Sequence, residues 1–513
     1  NTGSFRSSIL LSAITTIVGL GVLIFAKHPS LRSIALIAIT GIGCVVLISQ
    51  VLIPVLFRAL ITNRTARGLQ PLTAWSICTS VFAFFYFTMG ALLLSVAAII
   101  LLKLNPLAGD RAKYTYHLLV SKFIRSLMYI MVNVKKTVIN TREESFASPA
   151  VIISNHQSFL DILSIIMLHP RIILMTNDWV WRSPVFGFVV RMADYFPVAK
   201  GVESNLDQFR EKFNKGYSIA VFPEGTRSAD GTMKRFHKGA FFLAEQLGAD
   251  ILPVMLHGTG DTMGKGDFLL KDGHIIIEIL PRIRPTDQAY GNGYAERTKA
   301  ISRQFKSLHQ ERRMQYEQGK WFRKKLLANY VYKGPVLEWY MRIKTRLEKN
   351  YQPFIDELPK EGRILDLGCG YGAMSYMLKF TGTGRDITGM DYDEEKILTA
   401  NHCFSKDDRI RFLHGDALEF DDAQYDGIIM ADMLHYLKPE QQSALVGKAL
   451  SQLHPAGKLI IREGDSSLAE KHRNTKLTEF FSTRLLGFNK SDQGKLHFMA
   501  GARIRQIAAD HGF

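Results

Sequence analysis

The sequence predicts membrane helices followed by two α/β domains, the second on a doubly wound parallel sheet. Three observations carry that expectation. Long uncharged apolar runs are confined to the first 104 of the 513 residues. In the middle of the chain, short apolar runs end in a turn at His156 and in the loop Pro223-Glu224-Gly225-Thr226-Arg227. Farther on, a strand enters the turn Gly368-Cys369-Gly370-Tyr371-Gly372, and four more strands alternate with helices behind it.

Residues 7–26 contain no charge, and 20 residues of helix cross a bilayer core of about 30 Å. Residues 33–57 form a second such run, and Lys27-His28-Pro29-Ser30-Leu31-Arg32 is the loop between them. The two runs predict a transmembrane hairpin over residues 1–63. Arg58, Arg64 and Arg67 follow it and point that end toward the cytoplasm. The stretches Ser12-Ala13-Ile14-Thr15-Thr16-Ile17-Val18-Gly19 and Ala26-Lys27-His28-Pro29 resemble the closing helices of resistance-nodulation-division exporters of the mycobacterial membrane protein large branch. The resemblance implies further exporter helices upstream. The chain opens on Asn1, which fits a start inside a longer polypeptide. Neither run carries an acidic residue, so no transport is assigned to these helices alone.

Residues 68–104 hold a third run, uncharged from Gly68 to Leu102. It is long for one span and short for two, and Thr88-Met89-Gly90 offers a break. Placing the two α/β domains that follow on the same side as Arg58 requires the chain to return, so a membrane-embedded hairpin is expected here in preference to a single span. The first apolar run is too long for a signal peptide and lacks a small-residue cleavage site. The four cysteines are scattered with neither pairing nor metal spacing, which fits a reducing compartment and no metal.

Residues 112–310 read as the first α/β domain. Val151-Ile152-Ile153 is a strand, and residues 162–168 continue as an apolar helix. His156 therefore sits in the turn between them, and Asp161 falls on the first helical turn. An aspartate bonded to one imidazole nitrogen leaves the other able to take a proton from a hydroxyl. Ser158-x-x-Asp161 also has capping-box spacing, so Asp161 caps the helix on the simpler reading. Among fifteen histidines the spacing recurs by chance at His402 and Asp407. His156 differs in its company, because Val221-Phe222 leads into the Glu224–Arg227 loop and Ile251-Leu252-Pro253-Val254 follows.

This order of blocks resembles the glycerolipid acyltransferase family. The resemblance implies that His156 is a general base oriented by Asp161. It implies that Glu224, Gly225, Thr226 and Arg227 help form the acceptor-phosphate site. Lys200, in Phe196-Pro197-Val198-Ala199-Lys200, stands where the family usually has arginine; it keeps the charge and loses the planar fork. The implied donor is acyl-CoA or acyl carrier protein, and the implied acceptor is lysophospholipid-like. Trp179, Trp181, Phe186 and Phe188, with Arg182 and Arg191, read either as core beside a solvated face or as an interfacial belt. A net charge of +17 fits anionic membrane lipids, and no nucleic-acid recognition module is present.

Residues 311–357 read as a basic helical linker, and residues 358–513 as the second domain. Ile364-Leu365-Asp366-Leu367 is its first strand, and Ile387-Thr388-Gly389-Met390-Asp391 is the second, ending in an acid. Asp416 follows the third strand, and His435 follows the fourth. The set resembles class I S-adenosylmethionine-dependent methyltransferases. That implies a cofactor site at Asp366, Gly368, Gly370 and Gly372, with Asp391 on the ribose and Asp416 on the adenine. His435 lies where ligands bind in such sheets. It is a candidate base for a hydroxyl acceptor, although a structural histidine is the simpler reading. The chain stops after the last helix, so an incomplete sheet is expected.

The three parts together resemble trifunctional exporter, acyltransferase and methyltransferase fusions linked to aryl polyene or flexirubin-like pigments. The expected location is a bacterial-type inner membrane with both catalytic domains on the cytoplasmic side. The rival expectation is an exporter whose appended domains only bind or load cargo.

Overall fold

A computed structural model describes residues 2–106, 109–176, 178–184, 186–197, 201–228, 231–347, 351–421, 423–464 and 497–513. The chain divides into two units: Thr73–Lys324, and Asn1–Leu72 with Lys325–Phe513.

The N-terminal helices follow from their punctuation. A first helix, Thr2–Gly21, ends in a 3-10 turn, Val22–Phe25. The second starts at Pro29, a proline at its first position, and His28 Nδ1 accepts a bond from Ser30 N at 3.3 Å. It continues without interruption through Thr65, 37 residues in all. That is about 55 Å of helix, nearly twice a bilayer core. Arg58 and Arg64 thus lie on the helix itself and do not begin a loop. Among the described residues, three helices are long and apolar enough to cross a membrane: Ser7–Phe25, Pro29–Thr65 and Ala74–Lys103.

The third of these corrects the expected hairpin. Residues 74–103 are one unbroken helix, capped at its start by reciprocal bonds between Thr73 and Ser76. Its buried positions are Ser76, Ser80, Ala83, Gly90, Ala91, Leu94 and Ala98, all small but for Leu94 and at helical spacing. Gly90 in this stripe packs on the helix Asp110–Ile130, whose own buried stripe includes Tyr116, Val120, Ile124 and Leu127. Gly90 is a notch between the two. A Cβ there would lie 1.9 Å from the Phe123 ring. The glycine that suggested a break is therefore a packing site. Ser80 Oγ also accepts Leu270 N at 2.8 Å, tying the helix to the domain behind it. The opposite face, with Phe82, Phe85, Leu93 and Val96, is exposed.

Among the described residues, seven strands form the sheet of this unit: β1 (Val134–Ile139), β2 (Val151–Ser154), β3 (Ile172–Thr176), β4 (Phe196–Pro197), β5 (Ser218–Val221), β6 (Ile251–His257) and β7 (Gly273–Ile279). Their order is β1-β7-β6-β2-β5-β3-β4, parallel throughout except between β6 and β7. β2, β3 and β6 are buried at every position, as their continuous apolar runs require. Pro253 is tolerated in a central strand because β7 pairs only from Val254 onward. Trp181, Phe186 and Phe188 pack half-buried against this core, and Phe186 meets Phe87 at 5.5 Å. The boundary expected at 310 falls inside the helix Tyr294–Tyr316.

The C-terminal sheet has β8 (Glu361–Leu367), β9 (Gly384–Asp391), β10 (Ile410–His414), β11 (Tyr425–Ala431) and β12 (Leu453–Arg462). The order β10-β9-β8-β11-β12 is parallel throughout. The chain winds outward from β8 to β10, then crosses to β11 on the other side. This reversal leaves a crevice at the carboxyl ends of β8 and β11. No further strand joins among the described residues. Arg385, 2 % exposed, clamps the start of the domain by donating to the carbonyls of Pro359 (2.7 Å), Leu358 (3.0 Å) and Leu378 (2.9 Å).

Candidate active sites

β2 is short and ends at the sheet's carboxyl edge, so the chain must turn before the helix Leu160–Ile166. Asn155 fixes that turn by exchanging two bonds with the backbone of Leu256 on β6, at 2.8 and 2.9 Å. His156 comes next. Its Nδ1 lies 2.9 Å from Asp161 Oδ2, and the same oxygen accepts Gln157 N at 2.6 Å and Ser158 N at 2.7 Å. Asp161 Oδ2 thus ties down the turn before the helix and touches the imidazole at once, while the helix's own N-cap, Phe159, makes no side-chain cap bond. Its side chain is fully buried, whereas that of His156 keeps 13 % of its surface open. Phe222 stacks on the imidazole at 4.2 Å and holds its plane. With Nδ1 committed to the carboxylate, Nε2 is the nitrogen left to take a proton.

Glu224 is placed differently from the expectation that it helps hold a phosphate. Oε1 accepts His156 N at 2.8 Å and Oε2 accepts Lys234 N at 2.7 Å. The carboxylate is 2 % exposed and burial raises its pKa. It ties the histidine turn to the loop after β5, a positioning role. Ser228 N adds a bond to His156 O at 2.9 Å. Gly225 adopts φ +69°, and a side chain there would press on His237. Thr226 is exposed and Arg227 half-buried on the same loop. No carboxylate pairs with Arg227 among the described residues. Lys200 lies outside the described residues.

Sequence reasoning missed the stacked pair His257 and His309, ring centres 4.9 Å apart behind the site. Burial pushes their pKa values down to about 3 and about 4. His257 closes the strand that carries Pro253, which was the available signal.

In the second unit, β8 enters a turn in which Gly368, Gly370 and Gly372 all have positive φ. Their roles differ. A Cβ at Gly368 would meet Met433 at 2.6 Å, and one at Gly372 would meet Phe412 at 2.6 Å. These two are packing glycines. At Gly370 a Cβ would find nothing within 4 Å, so here the backbone borders open space. Gly370 N donates to Asp391 Oδ2 at 2.8 Å, and Asp393 N donates to Oδ1 at 2.9 Å. Asp391 thus joins the end of β9 to the turn. Asp416 is exposed beyond β10 and accepts Leu418 N at 2.9 Å. Asp366, in contrast, is buried under the turn and accepts from Ser375 Oγ at 2.5 Å. Burial pushes its pKa up to about 6. It supports the turn from inside.

The structure also supplies His435 with an unforeseen partner. Glu463 Oε1 lies 2.7 Å from His435 Nδ1. The signal was an acid directly after the end of β12, separated by Arg462 from the apolar run Leu459-Ile460-Ile461.

Comparison with known proteins agrees with this division. A family model described as Acyltransferase matches residues 132–257, and one described as Methyltransferase domain matches residues 364–457. A Caenorhabditis elegans protein, acl-2, provisionally named a 1-acyl-sn-glycerol-3-phosphate acyltransferase, is 30% identical over 210 residues, which are 39% of this chain and 71% of that protein. The chain belongs to the 1-acyl-sn-glycerol-3-phosphate acyltransferase family. In this chain the region that matches the methyltransferase domain follows the region that matches the acyltransferase domain. The chloroplastic acyltransferase LPAT1 of Arabidopsis thaliana is 36% identical over 137 residues, 26% of this chain but only 38% of that protein's length. The crystal structure of PlsC, the 1-acyl-sn-glycerophosphate acyltransferase of Thermotoga maritima, superposes with a TM-score of 0.40 at 19% identity, over 46% of this chain and 96% of PlsC.

Proposed function

We propose that the first catalytic domain transfers an acyl group from a thioester, acyl-CoA or acyl carrier protein, to a hydroxyl of a lysophospholipid-like acceptor. The observation that carries this is the His156 Nδ1–Asp161 Oδ2 contact of 2.9 Å at the mouth of the sheet. His156 Nε2 removes the hydroxyl proton as the oxygen attacks the thioester carbonyl. Asp161 holds the imidazolium that results, and the proton then leaves with the thiol. Arg227 meets the acceptor's phosphate by charge-assisted bonds. The 1-acyl-sn-glycerol-3-phosphate named for the relatives is the first acceptor to try.

The second domain transfers a methyl group to a small molecule. When bound, S-adenosylmethionine supplies an electrophilic methyl. The open backbone at Gly370 fits a ligand that lies directly on the turn, and Asp391 and Asp416 border it from β9 and β10. The apolar helices and the charge of +17 support a location on an anionic membrane, with the catalytic domains on the cytoplasmic face of a bacterial-type inner membrane. An exporter origin for the first two helices and a pigment-lipid product rest on sequence resemblance.

The test is acyl transfer by membranes carrying the native chain or His156→Ala, with a panel of acyl-CoA and acyl-carrier-protein donors and lysophosphatidate as acceptor. Transfer that disappears in the variant supports the reading and names the donor. Equal transfer by both proteins, or none by folded native protein, defeats it.

A further inference from the structure

We propose that the helix Pro335–Leu347 docks the C-terminal domain on an anionic membrane surface. The proposal rests on the membrane location given above and is independent of methyl transfer. The helix has two faces. Leu337, Met341 and Thr345 are buried, at 4, 2 and 7 % exposure, whereas Val336, Trp339 and Ile343 are 62, 55 and 36 % exposed. At about 100° per residue, the exposed three fall within about 60° of the helix wheel, opposite the buried stripe. Arg342 and Arg346, both exposed, border them along one side. Single exposed apolar side chains are ordinary on a protein surface. Three in one stripe, a tryptophan among them and cations along the border, form the pattern of an interfacial helix.

The segment that leads into the helix is strapped to the C-terminal domain. Tyr330 OH donates to Tyr371 O at 3.0 Å, Tyr332 OH donates to Thr399 O at 2.8 Å, and Lys333 Nζ pairs with Glu395 at 3.0 Å. Tyr371 belongs to the glycine turn, and the other two partners lie on the helix Glu394–Asn401. Within the helix itself, the charge of Lys344 reaches Asp366 beneath that turn. The exposed stripe therefore has a fixed orientation on the domain that carries the crevice.

Length and charge select the occupant. The helix has 13 residues, about 20 Å, which can lie on a bilayer but cannot cross its core of about 30 Å. Residues 325–347 hold five cations and one carboxylate, Glu338. Glu338 pairs with Arg342 at 3.1 Å, and Arg346 has no carboxylate partner among the described residues. Net positive charge complements anionic headgroups, and the Trp339 ring offers an apolar body with one N–H donor that suits the headgroup level. A second copy of the chain fits poorly, because a two-fold contact sets the same arginines toward each other. Three side chains also fall far short of the about 800 Å² that each partner of a stable protein complex buries. A domain already tied to the bilayer by its own chain needs no such area, since the tether keeps its local concentration high.

The experiment places the full chain in nanodiscs of phosphatidylcholine alone or with about one-third phosphatidylglycerol, with and without lipids brominated near the headgroup end of their acyl chains. The chain has five tryptophans, so the Trp339 signal is taken as the difference in fluorescence between the native chain and Trp339→Phe. A nitroxide on Ile343→Cys, in a chain carrying Cys44→Ser and Cys78→Ser at the two exposed cysteines, reports the same face through its collisions with oxygen and with a water-soluble nickel chelate. Circular dichroism and a thermal melt show that each variant is folded. The expected result is quenching of Trp339 at least about twofold stronger in the anionic discs, falling about twofold or more in Arg346→Glu and in about 0.5 M salt. The nitroxide then meets oxygen in preference to nickel. A Trp339 that brominated lipid does not quench, whether it stays in water or is covered by protein, overturns the docking. Quenching that ignores both lipid charge and Arg346 overturns it as well. Native chain recovered free of lipid after disc assembly overturns the membrane location instead.

Discussion

Asp161→Asn isolates the charge of the acyltransferase dyad from its geometry. All three donors, His156 Nδ1, Gln157 N and Ser158 N, converge on Oδ2, while Oδ1 has no partner among the described residues. An asparagine can place its amide oxygen where Oδ2 sits and keep every bond. What disappears is the negative charge that meets the imidazolium. With charge centres about 4 Å apart and an effective dielectric of about 20, that interaction is about 4 kcal/mol. In the transition state it corresponds to about a 1,000-fold fall in kcat. The amide NH2 left in the Oδ1 position is buried without an acceptor and costs about 1–3 kcal/mol of stability. The assay is initial-rate acyl transfer with purified protein, with circular dichroism and a thermal melt to show folding. A folded variant within about tenfold of native kcat refutes the charge argument, because the bonds to the imidazole and the turn are kept while the charge is lost.

Three further outcomes are expected. Arg227→Ala raises KM for lysophosphatidate by about 10- to 100-fold, the value of a charge-assisted bond, and leaves a phosphate-free monoacylglycerol unaffected; equal effects on both acceptors count against phosphate contact. Gly90→Val pushes a side chain into the Phe123 ring and loosens the helix Ala74–Ala98, costing about 1–3 kcal/mol in a melt of the detergent-solubilised chain; an unchanged melt contradicts the notch. Asp366→Asn keeps an acceptor for Ser375 and removes a buried charge. The folded carboxyl, at about 6, holds a proton that the unfolded chain has already released, so native stability falls as pH rises toward 6 and stays lower above it. The variant is therefore more stable by about 2–3 kcal/mol at pH near 8 and equal to native near pH 4, by calorimetry across pH; its S-adenosylhomocysteine affinity stays within about threefold, since the side chain lies beneath the turn.

The elements were legible where local pattern and tertiary role agree. The apolar runs of β2, β5 and β6 and the alternating strands β8 to β12 are short, continuous and bounded by turn residues, and each formed where its run lies. The positive φ of Gly368, Gly370 and Gly372 was foreshadowed by their residue type. The same glycine signal misled at Gly90. In an isolated apolar run a glycine weakens the helix, yet here it admits an aromatic ring from a neighbour distant in sequence. The charges at Arg58 and Arg64 likewise suggested an end to a helix that continues to Thr65.

By itself the sequence determined the order of domains, the strand ends and the residue types standing there, because these depend on periodicity and on nearby residues. It also placed His156 and Asp161 close enough to meet. Tertiary structure decided what each polar group does. Glu224 turned inward because His156 N and Lys234 N arrive there from different segments. Asp366 came to lie beneath its turn and Gly370 beside open space, although both belong to one motif. His435 gained Glu463 only because β12 lies next to β11 in the sheet, 28 residues away along the chain. A carboxylate's partner is set by distance in space, and a parallel sheet brings together strand ends that the chain itself keeps far apart.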